Sequence, residues 1–137
     1  MAGPLPCLAT VLRRPVYPPA NADLASRIPG HGALVSQFWP DAPPTRYSFP
    51  MRNVAMSGMA VGTVVVEANS TSGAKMQARL ALEHGKRVFL LESLVLHQEW
   101  AQRYAQRPGA VVVRHIDDVL EVLTTAVEPT QQLKFAM

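Results

Sequence analysis

The 137-residue chain has one cysteine, and only 17% of its residues are charged. A single cysteine excludes an intrachain disulfide and a cysteine-based metal site, so a reduced, cytoplasmic setting is expected. No apolar run reaches the roughly 18 residues of a membrane-spanning helix, so no membrane association is expected. The net charge of +3 is too small to indicate nucleic-acid binding without a local basic patch.

The sequence also lacks the short motifs that carry catalysis. It contains no GxGxxG, no Walker A sequence, no GxSxG and nothing that resembles a catalytic triad. Its four histidines are scattered and lack ligand spacing such as HExxH, so neither a metal nor another cofactor is expected.

Acidic residues are missing from one long stretch. Residues 42–66 contain no aspartate or glutamate but include Arg46 and Arg52. The stretch leads into an apolar strand predicted from Gly62 to Ala68, and a Ser/Thr/Gly turn then begins a helix at Gly73. This order favours an anion site, because the first N–H groups of a helix are unpaired and its dipole is positive there.

Two predicted helices begin with a cation instead of the usual acid. Arg52 stands in the first turn of a helix predicted from Pro50 to Ala60, and Lys75 stands in the first turn of the next helix. The last predicted helix begins in the usual way, with Asp117 and Asp118. A cation at a helix start is mildly unfavourable unless an anion binds there. The two starts therefore suggest a phosphate site; alternatively, both side chains simply extend into solvent.

Three further side chains have more than one interpretation. Phe49 precedes a proline in a polar loop, where it is either a hydrophobic staple over the helix start or a surface on which a base stacks. Tyr47 is a weaker candidate of the same kind. Glu67 ends the apolar strand, where it could contact a ribose or a helix N-terminus, or have a structural role only.

Strand-like and helix-like segments alternate along the chain, which is typical of a doubly wound α/β fold. The expected architecture is a Rossmann-like parallel sheet with helices on both faces, in three layers. Residues 63–66 are apolar on both faces and are expected at the centre of the sheet. One domain is expected over residues 1–127, with a flexible tail at 128–137. Strands are predicted at 7–12, 32–38, 62–68, 87–91 and 110–113, and helices after Asn21 and at 50–60, 73–84, 96–107 and 116–127.

Several of these segments coincide with the motifs of a known family. The chain resembles the DNA-processing protein A family, also called DprA or Smf, over about residues 8 to 95. The matching segments are VYPPAN at 16–21, GALVS at 32–36, SFPMRN at 48–53, SG at 57–58, VVVEA at 64–68, SG at 72–73 and ARLALEHGKRVF at 78–89.

The resemblance implies a function. Proteins of this family have a Rossmann-like domain that binds single-stranded DNA, and they hand the strand to the RecA recombinase during natural transformation. They are not known as enzymes, so the resemblance implies a protein that is not an enzyme. The resemblance places Phe49 and Arg52 in the DNA groove with Lys75 near it, where the helix starts also point. The predicted DNA- or phosphate-binding residues are Arg46, Ser48, Phe49, Arg52, Asn53, Ser57, Ser72, Gly73 and Lys75.

The chain also departs from the family pattern. Met51 and Val54 stand where the family usually has arginines near Arg52. The first strand–helix units of the family, with a Ser-Arg-Gly element that helps to hold phosphates, have no counterpart, so the chain resembles a family member that lacks its N-terminal part. A central strand without its neighbour leaves backbone groups unpaired. We therefore expect the chain to form a homodimer across that edge or to pair with another protein.

Two other functions stay open at this point. One is a nucleotide-binding or nucleotide-hydrolysing protein similar to the phosphoribohydrolases, although their Pro-Gly-Gly-x-Gly-Thr loop and paired Arg/Glu residues are absent. The other is a degenerate fragment that folds but has no ligand of its own.

Overall fold

The computed structural model describes residues 6–8, 15–43 and 45–126. The chain divides into an N-terminal unit, residues 1–60, and a C-terminal unit, residues 61–137. The predicted tail at 128–137 lies outside the described residues. In chain order the elements are α1 (Ala22–Arg27), α2 (Ser48–Met59), β1 (Gly62–Val65), α3 (Gly73–Glu83), β2 (Arg87–Leu91), α4 (Glu92–His97), α5 (Glu99–Ala105), β3 (Ala110–Val113) and α6 (Ile116–Ala126), with short 3-10 helices at Pro19–Asn21 and Ile28–Gly30.

The N-terminal unit has little regular structure before α2. Of the strand predicted at 32–38, only Val35 pairs, in a single parallel bridge with Cys7. Just beyond it, the Ser36 hydroxyl accepts a hydrogen bond from the Phe38 N–H at 3.2 Å. This backbone N–H therefore bonds a nearby side chain and not a neighbouring strand. The prediction of a strand at 32–38 was therefore wrong. Of the strand predicted at 7–12, only the first two residues are described.

The two α-helices of this unit begin close to the predicted positions. Helix α1 follows Asn21 as predicted, although the Asn21 side chain makes no capping hydrogen bond. Helix α2 begins two residues earlier than predicted, at Ser48. Pro50 is therefore its third residue, where the N–H that proline lacks has no intrahelical partner in any case.

The C-terminal unit contains a three-stranded parallel sheet in the order β1-β2-β3. The register places Val64 beside Phe89, and Phe89 beside Val111. The α/β class with a parallel sheet is confirmed, but the central strand is β2. Among the described residues β1 pairs with β2 alone, so a second neighbour for residues 63–66 stays a prediction.

Alternate residues of β2 point to opposite faces, and both faces are covered. On one face, α3, α4 and α5 pack against Val88 and Leu90, with Val65 of β1 in the same core. On the other face, α6 packs against Phe89 and Val113. Val88, Phe89 and Leu90 are almost completely buried, which explains why this strand is apolar throughout. The three-layer arrangement of helices, sheet and helix is confirmed.

Helix α3 ends just before Gly85, as the sequence predicts. Its last residue is Glu83, and Gly85 follows with a φ of 68°, in the left-handed region that glycine adopts without strain. The Lys86 N–H donates to the Ala81 carbonyl at 2.8 Å and the Gly85 N–H donates to the Leu82 carbonyl at 3.0 Å. The final carbonyls of the helix are thus satisfied before β2 begins.

The single helix predicted at 96–107 is two helices, α4 and α5. They are separated at Gln98, whose φ of −129° and ψ of 113° are extended. The break places Trp100 in the core against α3 and the sheet, where its indole Nε1 donates to the Ala68 carbonyl at 3.2 Å. A continuous helix prediction fails here because burial of one large side chain outweighs the local helical pattern.

Gly62 lies where β1 closely approaches β2. A Cβ at this position would lie 3.0 Å from the Arg87 carbonyl oxygen and 3.1 Å from the ring of Phe89. Gly62→Ala should therefore strain the β1–β2 pairing and lower the unfolding free energy by about 1–3 kcal/mol, as measured by urea denaturation. Gly73→Ala is the control, because a Cβ there meets nothing within 4 Å. Equal stability of the two variants would contradict this account of the close strand approach.

Candidate nucleic-acid interface

The start of α2 is held by a buried serine. Ser48 is the first residue of the helix, and its hydroxyl accepts from the Thr45 N–H at 2.9 Å and lies 3.3 Å from the Thr45 hydroxyl. The first turn of α2 contains no acidic residue, as the sequence predicts. Because the hydroxyl of Ser48 is buried and engaged in this turn, Ser48 shapes the helix start from inside.

Phe49 lies inside the first turn of α2 and is 47% exposed. A hydrophobic staple uses the residue before the N-cap, whereas the N-cap of α2 is Tyr47 and Phe49 is its second helical residue. The staple interpretation therefore does not apply. Phe49 offers an open ring beside the positive end of the helix.

Two arginines lie beside these aromatic rings. The Arg46 guanidinium lies 4.7 Å from the centroid of the Tyr47 ring and donates to the Tyr47 hydroxyl, and both residues are exposed. The Arg52 guanidinium lies 6.0 Å from the centroid of the Phe49 ring. These are cation–π distances, so each ring is paired with a positive charge.

Arg52 turns toward the protein more than Arg46 does. Its Nε donates to the Asn53 side-chain oxygen at 3.0 Å, and its Nη1 donates to the Cys7 carbonyl at 3.4 Å. Arg52 is therefore half-buried and ties α2 to the segment before it. The interpretation of Arg52 as a side chain that simply extends into solvent was wrong.

Asn53 and Ser57 are both buried, one turn apart on the same side of α2. Both were predicted as DNA or phosphate contacts. In the folded chain they lie on the inner side of the helix, while Arg46 and Phe49 are exposed at its start. Burial makes Asn53 and Ser57 residues that position the helix.

Cys7 lies beside the same helix. Burial raises the pKa of the Cys7 thiol, and the charge of Arg52 offsets this only in part. A raised pKa keeps the thiol protonated at neutral pH, and a protonated thiol is a poor nucleophile.

The start of α3, in the C-terminal unit, is a compact hydrogen-bonded turn. Ser72 is the N-cap, and its hydroxyl accepts from the Ala74 N–H at 3.1 Å. The Asn69 side-chain oxygen accepts from the N–H and the hydroxyl of Thr71, each at 3.1 Å. Lys75 folds back, and its Nζ donates to the Ser70 carbonyl at 3.0 Å. Lys75 therefore closes this turn and does not extend freely into solvent.

A shallow cleft of about 350 Å³ lies beside this turn. Gly73 is exposed at the first position of α3, and no acid stands in the first turn of the helix. The cleft joins two basic side chains, hydroxyl groups and one aromatic ring, a mixture suited to a phosphate group. It is lined by Ser70, Thr71, Ser72, Lys75, Met76, Arg79 and Tyr104.

The predicted site residues thus fall into two groups, one in each unit of the chain. Around the start of α2 lie Arg46, Ser48, Phe49, Arg52, Asn53 and Ser57, and at the start of α3 lie Ser72, Gly73 and Lys75. Sequence reasoning missed Arg79 and Tyr104 beside the second group, because they lie on α3 and α5 and only the fold joins them. It also passed over the exposed Trp39, for which the following Pro40 was the available signal of a loop.

The other α-helices begin in the usual way, with acids in the first turn. In α6, Asp118 reaches back so that its Oδ2 accepts from the His115 N–H at 3.0 Å and the Arg114 N–H at 2.7 Å. These hydrogen bonds, the His115 bond first, lower the pKa of Asp118. Only α2 and α3 among the described α-helices leave the positive end of the helix open to an external anion.

The described ranges contain neither a group of side chains suited to a metal ion nor a membrane-spanning helix. No cluster of three or more histidine, cysteine, aspartate or glutamate side chains occurs among residues 6–8, 15–43 and 45–126. Within the same residues, no helix has the length and apolar character needed to cross a membrane.

The family profile described as DNA recombination-mediator protein A matches residues 6–124. The chain belongs to this family. The match includes both helix starts and all three strands, so the family resemblance inferred from the motifs is confirmed.

Curated relatives within this family are similar to the chain over most of its length. Protein Smf of Escherichia coli (strain K12) is 39% identical over 110 residues, which are 79% of this chain and 29% of that protein. DNA processing protein DprA of Bacillus subtilis (strain 168) is 32% identical over 114 residues, 79% of this chain and 37% of that protein. The chain thus spans about a third of the length of these relatives.

Solved structures of the family share the fold. The X-ray structure of DprA from Streptococcus pneumoniae matches with a TM-score of 0.70 and 29% identity, covering 87% of this chain and 42% of that one. DNA processing protein A from Helicobacter pylori matches with a TM-score of 0.74 and 21% identity, covering 89% of this chain and 56% of that one. At the latter identity the likeness shows the fold alone.

The capping role of Asp118 leads to a pH-dependent prediction. Its folded-state pKa lies below the unfolded value, so its stabilisation is present above the ordinary aspartate pKa and is lost as pH falls through the lowered value. Asp118→Ala should lower the Tm by a few degrees at about pH 7, and the difference from wild type should shrink at about pH 2. Asp117→Ala is the control, since it alters the helix-dipole interaction without removing the cap. A pH-independent difference would show that the carboxylate is not the stabilising group.

Proposed function

We propose that this chain binds single-stranded DNA without catalysis, as a DNA-processing protein of the DprA/Smf type. The observation that carries the proposal is the start of α2, where the first turn has no acid, the exposed ring of Phe49 lies beside Arg52, and the exposed ring of Tyr47 lies beside Arg46. Aromatic rings next to cations are the combination with which single-strand binders hold bases and phosphates.

The exposed and buried residues around α2 have different roles in this proposal. Arg46 contacts phosphate directly, and Phe49 stacks on a base, because both are exposed. Arg52 lends its charge to the Phe49 ring and anchors the helix through Asn53 and the Cys7 carbonyl. Ser48, Asn53 and Ser57, which are buried, keep the helix start in place.

The start of α3 is proposed as a second phosphate contact in the C-terminal unit. Gly73 is exposed at the first helical position and leaves its N–H end accessible, while the hydroxyl of Ser72 caps the helix. Lys75 would exchange its hydrogen bond to the Ser70 carbonyl for a phosphate oxygen. Each start supplies its own contact.

The family supports the wider role. The Helicobacter pylori relative is described by its single-stranded DNA binding mode, and the curated relatives are named DNA processing proteins. We extend this to a cytoplasmic role in natural transformation, with a RecA-type recombinase as partner and a homodimer as the assembly. Sedimentation at micromolar concentration tests the homodimer, and a monomer there would remove it from the proposal.

Salt-dependent binding is the first expected outcome. Neutralised phosphates release counterions, so the affinity for a labelled oligothymidine should fall steeply between about 50 mM and about 200 mM salt. Fluorescence anisotropy measures the affinity, and a duplex of the same length is the control. An affinity that does not change with salt concentration would contradict the phosphate contacts. An absence of binding at low salt would contradict the proposal that the chain binds single-stranded DNA.

The two tryptophans allow the chain itself to report the interaction. Trp39 is 84% exposed in the N-terminal unit, whereas Trp100 is 2% exposed in the core of the C-terminal unit. A base close to Trp39 would quench its emission, while the emission of Trp100 should not change. Trp39→Phe isolates the core signal and serves as the control for this measurement.

Single substitutions around α2 should separate stacking from charge. Phe49→Ala should weaken binding by about 1–3 kcal/mol if the ring stacks on a base. Arg46→Ala should weaken binding evenly across sequences and reduce the salt slope by about 1. Arg52→Ala should also weaken binding, whereas Arg103→Ala on α5 should have little effect. Anisotropy gives the affinity.

Melting temperatures of the same variants separate binding from folding. Arg52→Ala also removes the hydrogen bond to the Cys7 carbonyl, so some loss of Tm is expected for it and not for Arg46→Ala. An Arg103→Ala effect as large as that of Arg46→Ala would show that general charge, and not the helix start, binds the strand.

A further inference from the structure

A second cleft, the carboxyl-edge cleft, lies at the carboxyl ends of β1 and β2 within the C-terminal unit and has a volume of about 440 Å³. Parallel sheets bind ligands at this edge, because the loops after the strands meet there. None of the residues proposed to contact DNA lines it. The lining residues are Val66, Glu67, Ala68, Asn69, Leu91, Ser93, Leu94, His97 and Gln98.

The apolar residues of this cleft come from the strand ends and from α4. Val66 and Ala68 follow β1, Leu91 ends β2, and Leu94 lies in the first turn of α4. The loop after β1 is fixed from behind, because the Trp100 indole donates to the Ala68 carbonyl at 3.2 Å. The cleft therefore has a preformed apolar floor that suits a flat ring.

The polar groups at its rim present mainly acceptors. The Nδ1 atom of His97 lies 2.6 Å from the Ser93 carbonyl oxygen. A carbonyl can only accept, so Nδ1 carries the proton and Nε2 of the neutral ring is an acceptor. The Glu67 carboxylate adds two acceptor oxygens, and Glu67 is exposed. The oxygen of Asn69 already accepts from Thr71, which leaves its amide N–H groups as donors.

The charge of this cleft is opposite to that of the α3 start. Among the described residues that line it, none is lysine or arginine, and Glu67 is the single acid. A phosphate would meet a carboxylate there without a compensating cation. The site therefore favours an uncharged ligand that carries hydroxyl and amino donors.

We propose that this cleft binds an uncharged nucleoside. The Glu67 carboxylate accepts hydrogen bonds from the ribose hydroxyls, the base lies on the floor formed by Leu91 and Leu94, and Nε2 of His97 accepts from an amino group of the base. This site goes beyond the proposed DNA binding and does not depend on it.

Titration of the isotope-labelled chain with adenosine, followed by amide NMR, tests the proposal. Adenosine should shift the amides of residues 66–69 and 93–98, and Glu67→Gln should weaken its affinity by about tenfold or more, because the hydrogen bonds to a charged acceptor are lost. The matched control is Glu83→Gln, an exposed glutamate on α3 whose partner is Arg79. Adenosine affinity should be the same for this control and for wild type.

Adenosine 5′-monophosphate distinguishes a nucleoside site from a phosphate site. It should bind the wild-type chain about tenfold more weakly than adenosine, since its phosphate meets the Glu67 carboxylate. Equal or tighter binding of the monophosphate, unchanged adenosine affinity in Glu67→Gln, or shifts confined to other residues would each overturn the proposal. Oligothymidine affinity should be unchanged in Glu67→Gln, so failure of this site and failure of DNA binding are distinguishable.

Discussion

Burial of β2 on both faces is the constraint on which the C-terminal unit depends. Val88, Phe89 and Leu90 are all but inaccessible, so this strand needs a parallel neighbour on each side and helices above and below. Parallel neighbours cannot be joined by tight turns, so α3 and the α4–α5 pair must cross over. The crossovers bring the loops after β1 and β2 to one edge of the sheet, where the carboxyl-edge cleft forms.

Exposure and not residue type decides the roles of the side chains around α2. Serine, asparagine and arginine are all suited to phosphate, yet Ser48, Asn53 and Ser57 are buried and support the helix from within. Phe49, an apolar residue, is left half exposed at the positive end of the helix. The hydrogen-bonding side chains therefore lie on the inner side of the helix, where they have partners, and the open ring of Phe49 lies at the helix start.

The two clefts of the C-terminal unit show how position on the fold sets charge. The α3 start lies where Lys75 and Arg79, one turn apart on the same helix, meet a ring from α5. The carboxyl-edge cleft is lined by one acid and no base among the described residues. Both are built on the same sheet, but the charged side chains that line them are of opposite sign. Family membership does not assign a ligand to either cleft, because the chain spans about a third of the length of its curated relatives.

The sequence alone determined the alternation of strands and helices, the α/β class, the bounds of α3 and α6 to within a residue or two, and the acid-free helix starts. These features depend on local periodicity, capping residues and charge, all of which are legible in a short window. Only the tertiary structure decided that β2 has a parallel neighbour on each side, that residues 32–38 do not form a strand, and that the helix predicted at 96–107 is interrupted at Gln98. Each of those outcomes depends on partners far apart in sequence, and a pattern of apolar residues reports burial without naming the partner.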